Sequence, residues 1–379
     1  MKKTFILTFF ITFFLLTGCG ELKDLNQSTS DMADFDYTFT DVTAQEAVIQ
    51  MGNGWNLGNT MEAVGGNTGT ASETNWGMSV TTLEMMQNLN RCGFNSVRIP
   101  VAWYTNGVSS ANKKNGTYKI AESYFNRIDE IISYVLSCNM YAVVNIHWDG
   151  GWWNYFGSDE SLAFNIYDSL WTQIAEHYKD YPQKLIFESA NEELGDSLKT
   201  ESTDTAYKMT NKINQEFVDI VRNSGGNNGK RLLLIAGFNT DITNTCDSRF
   251  IMPEDTVQNH LFISVHYYTP WTYCGLETEE SWGSPRNSWG SSEDITEMET
   301  LFGKMQKFTN AGYPVIIGEY NVGTLNGANR NNSELFIGKV VELCNEYELY
   351  CPMLWDCNQW YKRTLGKITD SSVSAIFKN

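Results

Sequence analysis

Eight short runs of apolar residues, spaced along nearly the whole chain, constrain its fold more than any other feature. They are rich in β-branched and aliphatic side chains and are apolar almost throughout, rather than alternating between apolar and polar residues. Strands that are buried on both faces show this pattern, and they occur in parallel sheets covered by helices. The runs occupy residues 54–58, 96–101, 141–147, 185–192, 231–237, 261–268, 313–319 and 349–356.

Helical periodicity fills the segments between these runs. For example, Met209, Ile213, Phe217 and Ile220 recur at steps of three and four residues, which places them on one side of a helix. Eight strand–helix units in about 340 residues predict an α/β fold, a single (β/α)8 TIM barrel with long loops at its catalytic face. A doubly wound open sheet is the competing architecture, but no Gly-x-Gly-x-x-Gly sequence follows the first run.

The N-terminus has the parts of a bacterial export signal. Met1-Lys2-Lys3 is positively charged, residues 4–16 are apolar, and small residues follow. This pattern predicts a signal peptide over residues 1–18, which is too short for a comfortable membrane span. A cysteine directly after Leu-Thr-Gly resembles a lipoprotein cleavage box, so Cys19 is predicted to be the lipidated first residue of the mature protein. A plain signal peptide with an incidental cysteine is the alternative.

Residues 19–40 are polar, lack a sustained period and are predicted to form a flexible tether. Residues 41–379 are predicted to be one globular domain, because no second low-complexity break interrupts them. We therefore expect an exported, membrane-anchored lipoprotein at the bacterial cell surface or outer membrane. Its only contact with the membrane would be the lipid anchor.

The net charge of −18 argues against nucleic acid as a partner, because binding it needs a basic surface. The charge suits an uncharged substrate. The seven cysteines beyond Cys19 include no Cys-x-x-Cys pair, so a zinc site is not expected. Their odd number leaves at least one free or paired between chains, and no pairing can be assigned. We expect a monomer that needs no cofactor.

Two glutamates stand at the far ends of two of the apolar runs. Glu192 ends the fourth run and Glu319 ends the seventh. A carboxylate beside a buried strand is costly unless something nearby uses it. Two of them, roughly 130 residues apart in sequence, predict a site that the fold assembles. A pair of carboxyl groups across a pocket is the minimum machinery for cleaving a glycosidic bond.

Polar and aromatic side chains lie at or near the ends of other runs as well. Because the carboxyl ends of barrel strands converge on one face, we expect these side chains to meet the two glutamates. Singly, each has a structural alternative as a buried ion-pair partner, a core histidine or a packing aromatic. Together they are better explained by a site, and they are Asn56, Arg98, His147, Asn191, His266, Tyr268 and Trp355.

Retaining hydrolysis of an acetal needs a protonated acid and an ionised nucleophile, with carboxyl groups about 5 to 5.5 Å apart. Arg98, His266 and Tyr268 are suited to support an ionised carboxylate, and Asn191 to reach a sugar hydroxyl. The residues alone leave open which glutamate takes which role. The opposing option is a metal site, which no familiar ligand spacing supports; its ligands would be His147, Asp149, Glu192 and Glu319.

Six tryptophans follow the third and sixth runs, and exposing them at a catalytic face is costly unless they bind something. Stacking on the apolar faces of pyranose rings would explain them, and packing within the loops is the alternative. Trp148 and Trp271 are the candidates for substrate contact. The six are Trp148, Trp152, Trp153, Trp271, Trp282 and Trp289.

The motifs around these residues resemble glycoside hydrolase family 5, the large family of retaining endo-β-glucanases and their relatives. The resemblance spans about residue 42 to the C-terminus, and it is specific because several motifs occur in the correct order. They are GNGWNLGNT at 52–60, VRIP at 97–100, NIHWDGG at 145–151, FESANEE at 187–193, VHYY at 265–268 and IGEY at 317–320.

The resemblance implies that residues 41–379 are a catalytic domain in which Glu192 is the acid/base and Glu319 the nucleophile. It also places Arg98, His147, Asn191, His266, Tyr268 and Trp355 around the cleaved bond. One departure is Glu193, which follows Glu192 where many members have proline. This third carboxyl group either helps to raise the pKa of Glu192 or points away from it.

The implied activity is that of a retaining endo-β-1,4-glucanase acting by double displacement on cellulose-type, mixed-linkage or xyloglucan backbones. The Asn-Glu-Glu and NIHWDGG motifs resemble the subfamily of broad endo-β-1,4-glucanases, some of which prefer xyloglucan. A β-mannanase or xylanase of the same family is the nearest alternative. A surface glycan-binding protein without catalysis is another, but the presence of Glu192, Glu319 and Arg98 argues against it.

Overall fold

A computed structural model describes residues 38–198 and 202–378. The predicted export signal, the lipidation site Cys19 and nearly all of the predicted tether lie outside the described residues. Within the described part of the chain, none of the helices has the length and apolarity that a membrane span requires.

Eight parallel strands close into a barrel in which each strand pairs with its neighbours in sequence and the first pairs with the last, so the predicted TIM barrel is confirmed. Nearly every residue of these strands is buried, as expected for strands that face a core on one side and helices on the other. The strands are β1 Gly54–Leu57, β2 Ser96–Ile99, β3 Tyr141–Asn145, β4 Leu185–Glu188, β5 Leu233–Ala236, β6 Leu261–Tyr267, β7 Val315–Tyr320 and β8 Tyr350–Asp356.

Amphipathic helices surround the barrel. Met209, Ile213 and Phe217 are buried on one face of the helix Thr203–Asn223, as their spacing predicts, whereas Ile220 is only partly buried. The helices are α1 Ala44–Met51, α2 Leu83–Arg91, α3 Ser110–Asn115, α4 Glu122–Ser137, α5 Glu160–Tyr178, α6 Thr203–Asn223, α7 Ile242–Thr245, α8 Trp271–Cys274, α9 Ser292–Lys304, α10 Gln306–Thr309, α11 Ser333–Glu346 and α12 Ser371–Ile376.

Helix α1 covers the amino-terminal end of the barrel. A capping box between Thr43 and Glu46 starts the helix, and its apolar face packs against the first residues of several strands, among them Tyr141 of β3 and Phe262 of β6. Burying a side chain such as Val48 contributes about 1.5 to 3 kcal/mol. Because this end is filled, the carboxyl-terminal end is the one that carries a site.

The loops at the carboxyl-terminal face are long, as predicted. The segment from β6 to α9 contains the short helix α8, and two small hairpins follow β7 and β8. The first hairpin pairs Thr324–Leu325 with Ala328–Asn329, and the second pairs Tyr361–Lys362 with Lys367–Ile368. These loops and hairpins form the rim of the barrel mouth.

The largest difference from the predicted strand ends is at the fourth run. The fourth run was expected to extend to Glu192, but β4 ends at Glu188 and Glu192 lies in the turn that follows. Ser189 still donates its backbone N–H to the Leu234 carbonyl of β5, and its hydroxyl donates to Asn214 of α6. Asn191 instead accepts a hydrogen bond from Arg98, so the chain leaves the sheet before Glu192.

The cysteines beyond Cys19 all lie in the described residues, and each is a free thiol in this structure. Four of them, Cys92, Cys274, Cys344 and Cys351, are buried, as expected for small apolar side chains.

Candidate active site

Arg98 in β2 is the central charge of the site. Its fully buried side chain donates from Nε to Glu188 at 2.6 Å, from Nη1 to Glu319 at 2.7 Å and to Asn56 at 3.1 Å, and from Nη2 to Asn191 at 2.8 Å. A guanidinium presents its donors in a rigid plane, so these bonds fix four acceptors relative to one another. Arg98 therefore connects the carboxyl-terminal ends of β1, β2, β4 and β7.

Glu188, the last residue of β4, was missed by sequence reasoning. It is fully buried, and its Oε2 accepts from Arg98 and from Asn145 Nδ2 at 3.0 Å, while its Oε1 accepts from the Ser264 hydroxyl at 2.9 Å. The available signal was a charged residue within an apolar run, which is costly unless an opposite charge is buried with it. Glu188 holds Arg98 from the side opposite to the predicted catalytic pair.

Glu192 and Glu319 meet across His266. Nδ1 of His266 lies 2.7 Å from Oε1 of Glu192 and 3.7 Å from Oε2 of Glu319. The Tyr268 hydroxyl donates to Oε2 of Glu319 at 3.0 Å. One oxygen of each glutamate lies within 4.8 Å of the other. Retaining glycosidases hold their carboxyl groups about 5 to 5.5 Å apart, so this spacing favours direct attack by a carboxylate over inversion through water.

The two glutamates have unequal surroundings. The side chain of Glu192 is 50% exposed, whereas that of Glu319 is 7% exposed. Burial acts to raise the pKa of Glu192, but the hydrogen bond and charge of His266 and the charge of Arg98 outweigh it, so this pKa lies below its ordinary value. Burial raises the pKa of Glu319 above its ordinary value, against the opposing charges of His266 and Arg98.

His147 and Trp355 form one wall of the site. The imidazole of His147 is buried and stacks parallel to the Trp355 ring, with 6.0 Å between ring centroids. Burial and the nearby charges of Arg98 and His266 hold the pKa of His147 well below its ordinary value. His147 is therefore neutral at physiological pH and offers a hydrogen bond without adding charge.

A cavity of about 310 Å³ lies in front of the two carboxyl groups; we call it the catalytic cavity. Trp271 stands at its edge, half exposed and perpendicular to the Tyr268 ring. The cavity brings together several of the residues predicted from the sequence. Its lining consists of Glu192, Tyr268, Trp271, Cys274, Glu319, Asn321, Gly323 and Trp355.

The loop tryptophans divide into two groups. Trp148, Trp271 and Trp282 expose about half of their surface or more, with Trp148 at 48%. Trp152, Trp153 and Trp289 are buried, and the first two stack on each other at 4.5 Å between centroids. Trp148 follows β3 but does not line the catalytic cavity.

Asn56 and Asn191 lie beneath the carboxyl groups. Asn56 is fully buried, and besides accepting from Arg98 it donates to the carbonyl oxygens of Gly318 and Met353. Asn191 is 4% exposed and accepts from Arg98. Both residues thus hold Arg98 in position, and Asn56 also bonds the backbone of β7 at Gly318.

Glu193 is directed into the protein rather than towards the cavity. It is 5% exposed, and its Oε2 accepts the backbone N–H of Asn191 at 3.2 Å. Burial and the adjacent charge of Glu192 raise the pKa of Glu193 to about 8. The side chain is therefore protonated near neutral pH and adds no charge beside Glu192.

The alternative metal site is not assembled as a set of four ligands. The carboxylate of Asp149 accepts the backbone N–H groups of Tyr104 at 2.5 Å and Thr105 at 2.6 Å, which holds it within the loops after β2 and β3. Among the described residues, the one group of potential ligands that lies close enough to share an ion is Glu192, His266 and Glu319. Asp149 and His147 are not members of it.

A TIM barrel that holds two carboxyl groups at this spacing, in an indole-lined cavity at its carboxyl-terminal face, defines the chain as a glycoside hydrolase. Comparison with known proteins supports this class. The family description "Cellulase (glycosyl hydrolase family 5)" matches residues 59–361.

Relatives of this chain include Endoglucanase A of Paenibacillus barcinonensis, 33% identical over 83% of this chain and 82% of that protein. A xyloglucan-specific endo-β-1,4-glucanase of Bacteroides ovatus is 31% identical over 89% of this chain and 70% of that protein. Among solved structures, a GH5-4 broad specificity endoglucanase from an uncultured bovine rumen ciliate superposes with a TM-score of 0.79 at 31% identity, covering 89% of this chain and 97% of that one.

The chain belongs to glycosyl hydrolase family 5. It is an endo-β-1,4-glucanase that hydrolyses glucan backbones with the retaining mechanism general to that family.

Proposed function

We propose that Glu319 is the nucleophile and Glu192 the general acid and base of this endoglucanase. The observation that carries the assignment is the way Glu319 is held. Arg98 and Tyr268 bond its two oxygens, and its side chain is buried. A carboxylate fixed by two donors suits attack at a defined position, whereas the half-exposed Glu192 can exchange its proton with water.

In the first step of this proposal, an oxygen of Glu319 attacks the anomeric carbon while the Glu192 carboxylic acid protonates the departing glycosidic oxygen. A covalent glycosyl ester of Glu319 forms, and the leaving chain departs as an alcohol. In the second step, ionised Glu192 takes a proton from water, whose oxygen attacks the same carbon. The Glu319 carboxylate is released and the product keeps the β configuration.

The pKa directions in the unliganded site run opposite to these roles, since the pKa of Glu192 is lowered and that of Glu319 is raised. A bound glycan changes this balance mainly at Glu192. Its exposed half loses contact with water, and desolvation raises the pKa of a carboxyl group. Glu319 is already buried, so binding adds little there. We therefore propose that a bound substrate, by covering Glu192, raises its pKa, so that the carboxylate takes up a proton from solvent before the first step.

The test replaces each glutamate and varies the leaving group. Glu192→Gln and Glu319→Ala are each expected to lower hydrolysis of a soluble β-glucan by about 10³-fold or more. A 2,4-dinitrophenyl β-cellobioside needs no proton donor to release its leaving group. Formation of the glycosyl ester from it should therefore recover in Glu192→Gln but not in Glu319→Ala. Glu346→Gln, at the exposed end of α11, is the control for loss of a carboxylate.

Either single variant hydrolysing β-glucan at near wild-type rate would refute the assignment. The assignment would also be refuted if the dinitrophenyl cellobioside restored ester formation in Glu319→Ala and not in Glu192→Gln. Proton NMR of the first product should show the β anomer.

The proposed substrates are unbranched and xylosyl-branched β-1,4-glucans and mixed-linkage glucan. Support comes from the range of relatives, which includes a xyloglucan-specific endoglucanase, and from a family 5 lichenase whose structure superposes with a TM-score of 0.78 at 28% identity. Rates on carboxymethyl cellulose, xyloglucan, mixed-linkage glucan, mannan and xylan, measured side by side, test this range. A higher rate on mannan or xylan than on every glucan would contradict it.

We further propose that the enzyme is a monomer that a lipid on Cys19 anchors at the bacterial surface. The support is the sequence alone, with a charged start, an apolar segment and Leu-Thr-Gly-Cys at the cleavage point. Mass spectrometry of envelope fractions should find the lipid on Cys19, and Cys19→Ala should release the activity from the membrane. An unmodified Cys19 in those fractions would remove the proposal.

A further inference from the structure

Asn145, the last residue of β3, is a buried amide that none of the catalytic steps uses. It is in register with Glu188, the last residue of β4, so the two side chains lie side by side. Its Nδ2 lies 3.0 Å from Oε2 of Glu188 and 3.3 Å from Nδ1 of His147, and its Oδ1 lies 3.3 Å from the backbone nitrogen of Val101. Asn145 therefore connects the ion-pair partner of Arg98 to the imidazole in the wall of the site.

Two of these contacts fix which way the amide of Asn145 faces. Glu188 pairs with Arg98 at 2.6 Å, so its Oε2 is a carboxylate oxygen that only accepts hydrogen bonds, whereas the backbone N–H of Val101 only donates. In the reverse orientation, the amide oxygen would face the carboxylate and the amide N–H groups would face the N–H of Val101. Both contacts would then be repulsive, so the NH2 group of Asn145 is the part that faces Glu188 and His147.

This orientation decides which ring nitrogen of His147 carries the proton. An amide NH2 group has two hydrogens and no acceptor, so it donates to Nδ1 of His147. A ring nitrogen that accepts a hydrogen bond has no proton of its own. Burial and the charges of Arg98 and His266 hold the pKa of His147 well below its ordinary value, so the ring is neutral and has a single proton. That proton is on Nε2.

Nε2 of His147 is free to meet a ligand. Within the described part of the chain it has no hydrogen-bond partner, and it is not sealed from solvent. The ring is also held in place, because the backbone N–H of His147 donates to the Val101 carbonyl at 3.0 Å and its carbonyl accepts from Trp153 Nε1 at 3.0 Å. The imidazole lies parallel to Trp355, whose indole lines the catalytic cavity.

We propose that Asn145 is a positioning residue that keeps the proton of His147 on Nε2, so that the imidazole donates a hydrogen bond to a hydroxyl oxygen of the bound sugar. Glu188 acts through Asn145 by fixing the direction of the amide. The proposal rests on the proposed function, since the sugar is the one cleaved between Glu192 and Glu319.

The gain comes from removing a choice between two forms of the ring. A neutral imidazole free to carry its proton on either nitrogen presents a donor in one form and a lone pair in the other. Only the fraction in the correct form binds the hydroxyl, so the apparent affinity falls with that fraction. Fixing the donor before the sugar binds avoids this loss.

The first test observes the proton directly in the wild-type enzyme. With ¹⁵N-labelled histidine, long-range proton–nitrogen NMR spectra distinguish a protonated ring nitrogen from an unprotonated one, and His147→Gln identifies the signals of His147. His260 is an internal reference, because its Nδ1 lies 2.7 Å from the Gln258 carbonyl, which only accepts. We expect an unprotonated Nδ1 in His147 and a protonated Nδ1 in His260.

Asn145→Asp is the second test, and Asn154→Asp, at an exposed position in the loop after β3, is its matched control. A carboxyl group has at most one proton to donate, and the charged Glu188 attracts it, so Nδ1 of His147 would face a lone pair and carry the proton itself. The sugar oxygen would then meet the lone pair of Nε2. We expect kcat/KM on a soluble β-glucan to fall about tenfold, the effect of one hydrogen bond. Asn154→Asp should keep the wild-type spectrum and rate.

Each result decides one part of the proposal. A wild-type His147 with its proton on Nδ1 would overturn it, and that measurement does not depend on any variant folding. Asn145→Asp with the proton still on Nε2 would overturn the role of Asn145, and a moved proton with unchanged kcat/KM would overturn the contact with the sugar. Failure of the proposed function is seen separately, in the rates of Glu192→Gln and Glu319→Ala, and it leaves the position of the proton unaffected.

Discussion

The buried pair of Arg98 and Glu188 allows a sharp test of how the site is held together. Glu188 does not line the catalytic cavity. It accepts hydrogen bonds from Arg98, Asn145 and Ser264, and it is fully buried. Replacing Glu188 with alanine removes the acceptor of all three donors in a region without water contact, whereas glutamine keeps the shape and removes the charge.

The expected losses differ for the two variants. Each buried donor left without a partner costs about 1 to 3 kcal/mol, and breaking a buried ion pair costs about 3 to 5 kcal/mol. The two costs are not simply added, because Arg98 still has Glu319 as an ion-pair partner when Glu188 is removed. We therefore expect Glu188→Ala to lower the free energy of unfolding by about 4 to 6 kcal/mol. In Glu188→Gln the amide oxygen faces Arg98 and the amide N–H groups face the Ser264 hydroxyl, which leaves a loss of about 2 kcal/mol.

The measurement is equilibrium urea unfolding at pH 7, followed by tryptophan fluorescence, with kcat/KM determined on the folded variants. Glu346→Gln on α11 is the surface control and should unfold like the wild type. Because Glu188 positions Arg98 and Arg98 holds Glu319, kcat should fall in both variants, and it should fall further in Glu188→Ala than in Glu188→Gln. A free energy of unfolding for Glu188→Ala within about 1 kcal/mol of wild type would refute the reasoning, and so would an equal loss of stability in Glu188→Gln and Glu188→Ala.

Three other substitutions probe the surroundings of the pair. Tyr268→Phe removes one hydrogen bond from Glu319, so kcat should fall about ten- to a hundredfold with the fold intact; an unchanged kcat would contradict the contact. In Gly318→Ala the new Cβ would lie 2.9 Å from the Ser264 hydroxyl oxygen and 3.1 Å from Nε2 of His266, so we expect both side chains to be displaced, a lower kcat and a loss of about 1 to 3 kcal/mol. An unchanged thermal midpoint and rate would count against that packing. The pKa of Glu193 is raised to about 8 by burial and by its neighbour, so the folded chain keeps a proton that the unfolded chain loses near pH 4.5. The stability that this proton confers is present at low pH and is lost as pH rises from about 4.5 to about 8, and Glu193→Gln should therefore gain up to about 5 kcal/mol relative to wild type over that range. Parallel curves of unfolding free energy against pH for the two proteins would disprove the shift.

Much of the fold follows from the apolar runs. A strand buried on both faces requires consecutive apolar residues, so the eight barrel strands can be located from the sequence to within a few residues. The convergence of strand ends then predicts that Arg98, His266, Tyr268 and Glu319 meet. The boundary after β4 was less predictable, because Asn191 turns away to accept a hydrogen bond from Arg98, which is distant in sequence.

Exposure of the loop aromatics could not be predicted either. Trp148 and Trp152 lie four residues apart in the same loop, yet the first is half exposed and the second is stacked on Trp153. Gly150 and Gly151, both at positive φ, interrupt the helical turns between the two residues, so the local path of the backbone decides which ring faces solvent. The hydrogen bond from Asn321 to Gln359 likewise joins two loops that no local sequence pattern relates.

By itself, the sequence determined the barrel, the two glutamates and the presence of a buried cation near them. The reason is that a strand buried on both faces needs consecutive apolar residues, and a charged residue within or at the end of such a run stands out in the local sequence. Only the tertiary structure decided that Glu188 shares Arg98 with Glu319, that Glu192 stays half exposed, and that Glu193 turns inward. The physical reason is that the energy of a charge depends on its distance to partners and to water, and these distances are set by contacts between strands and loops far apart in the chain.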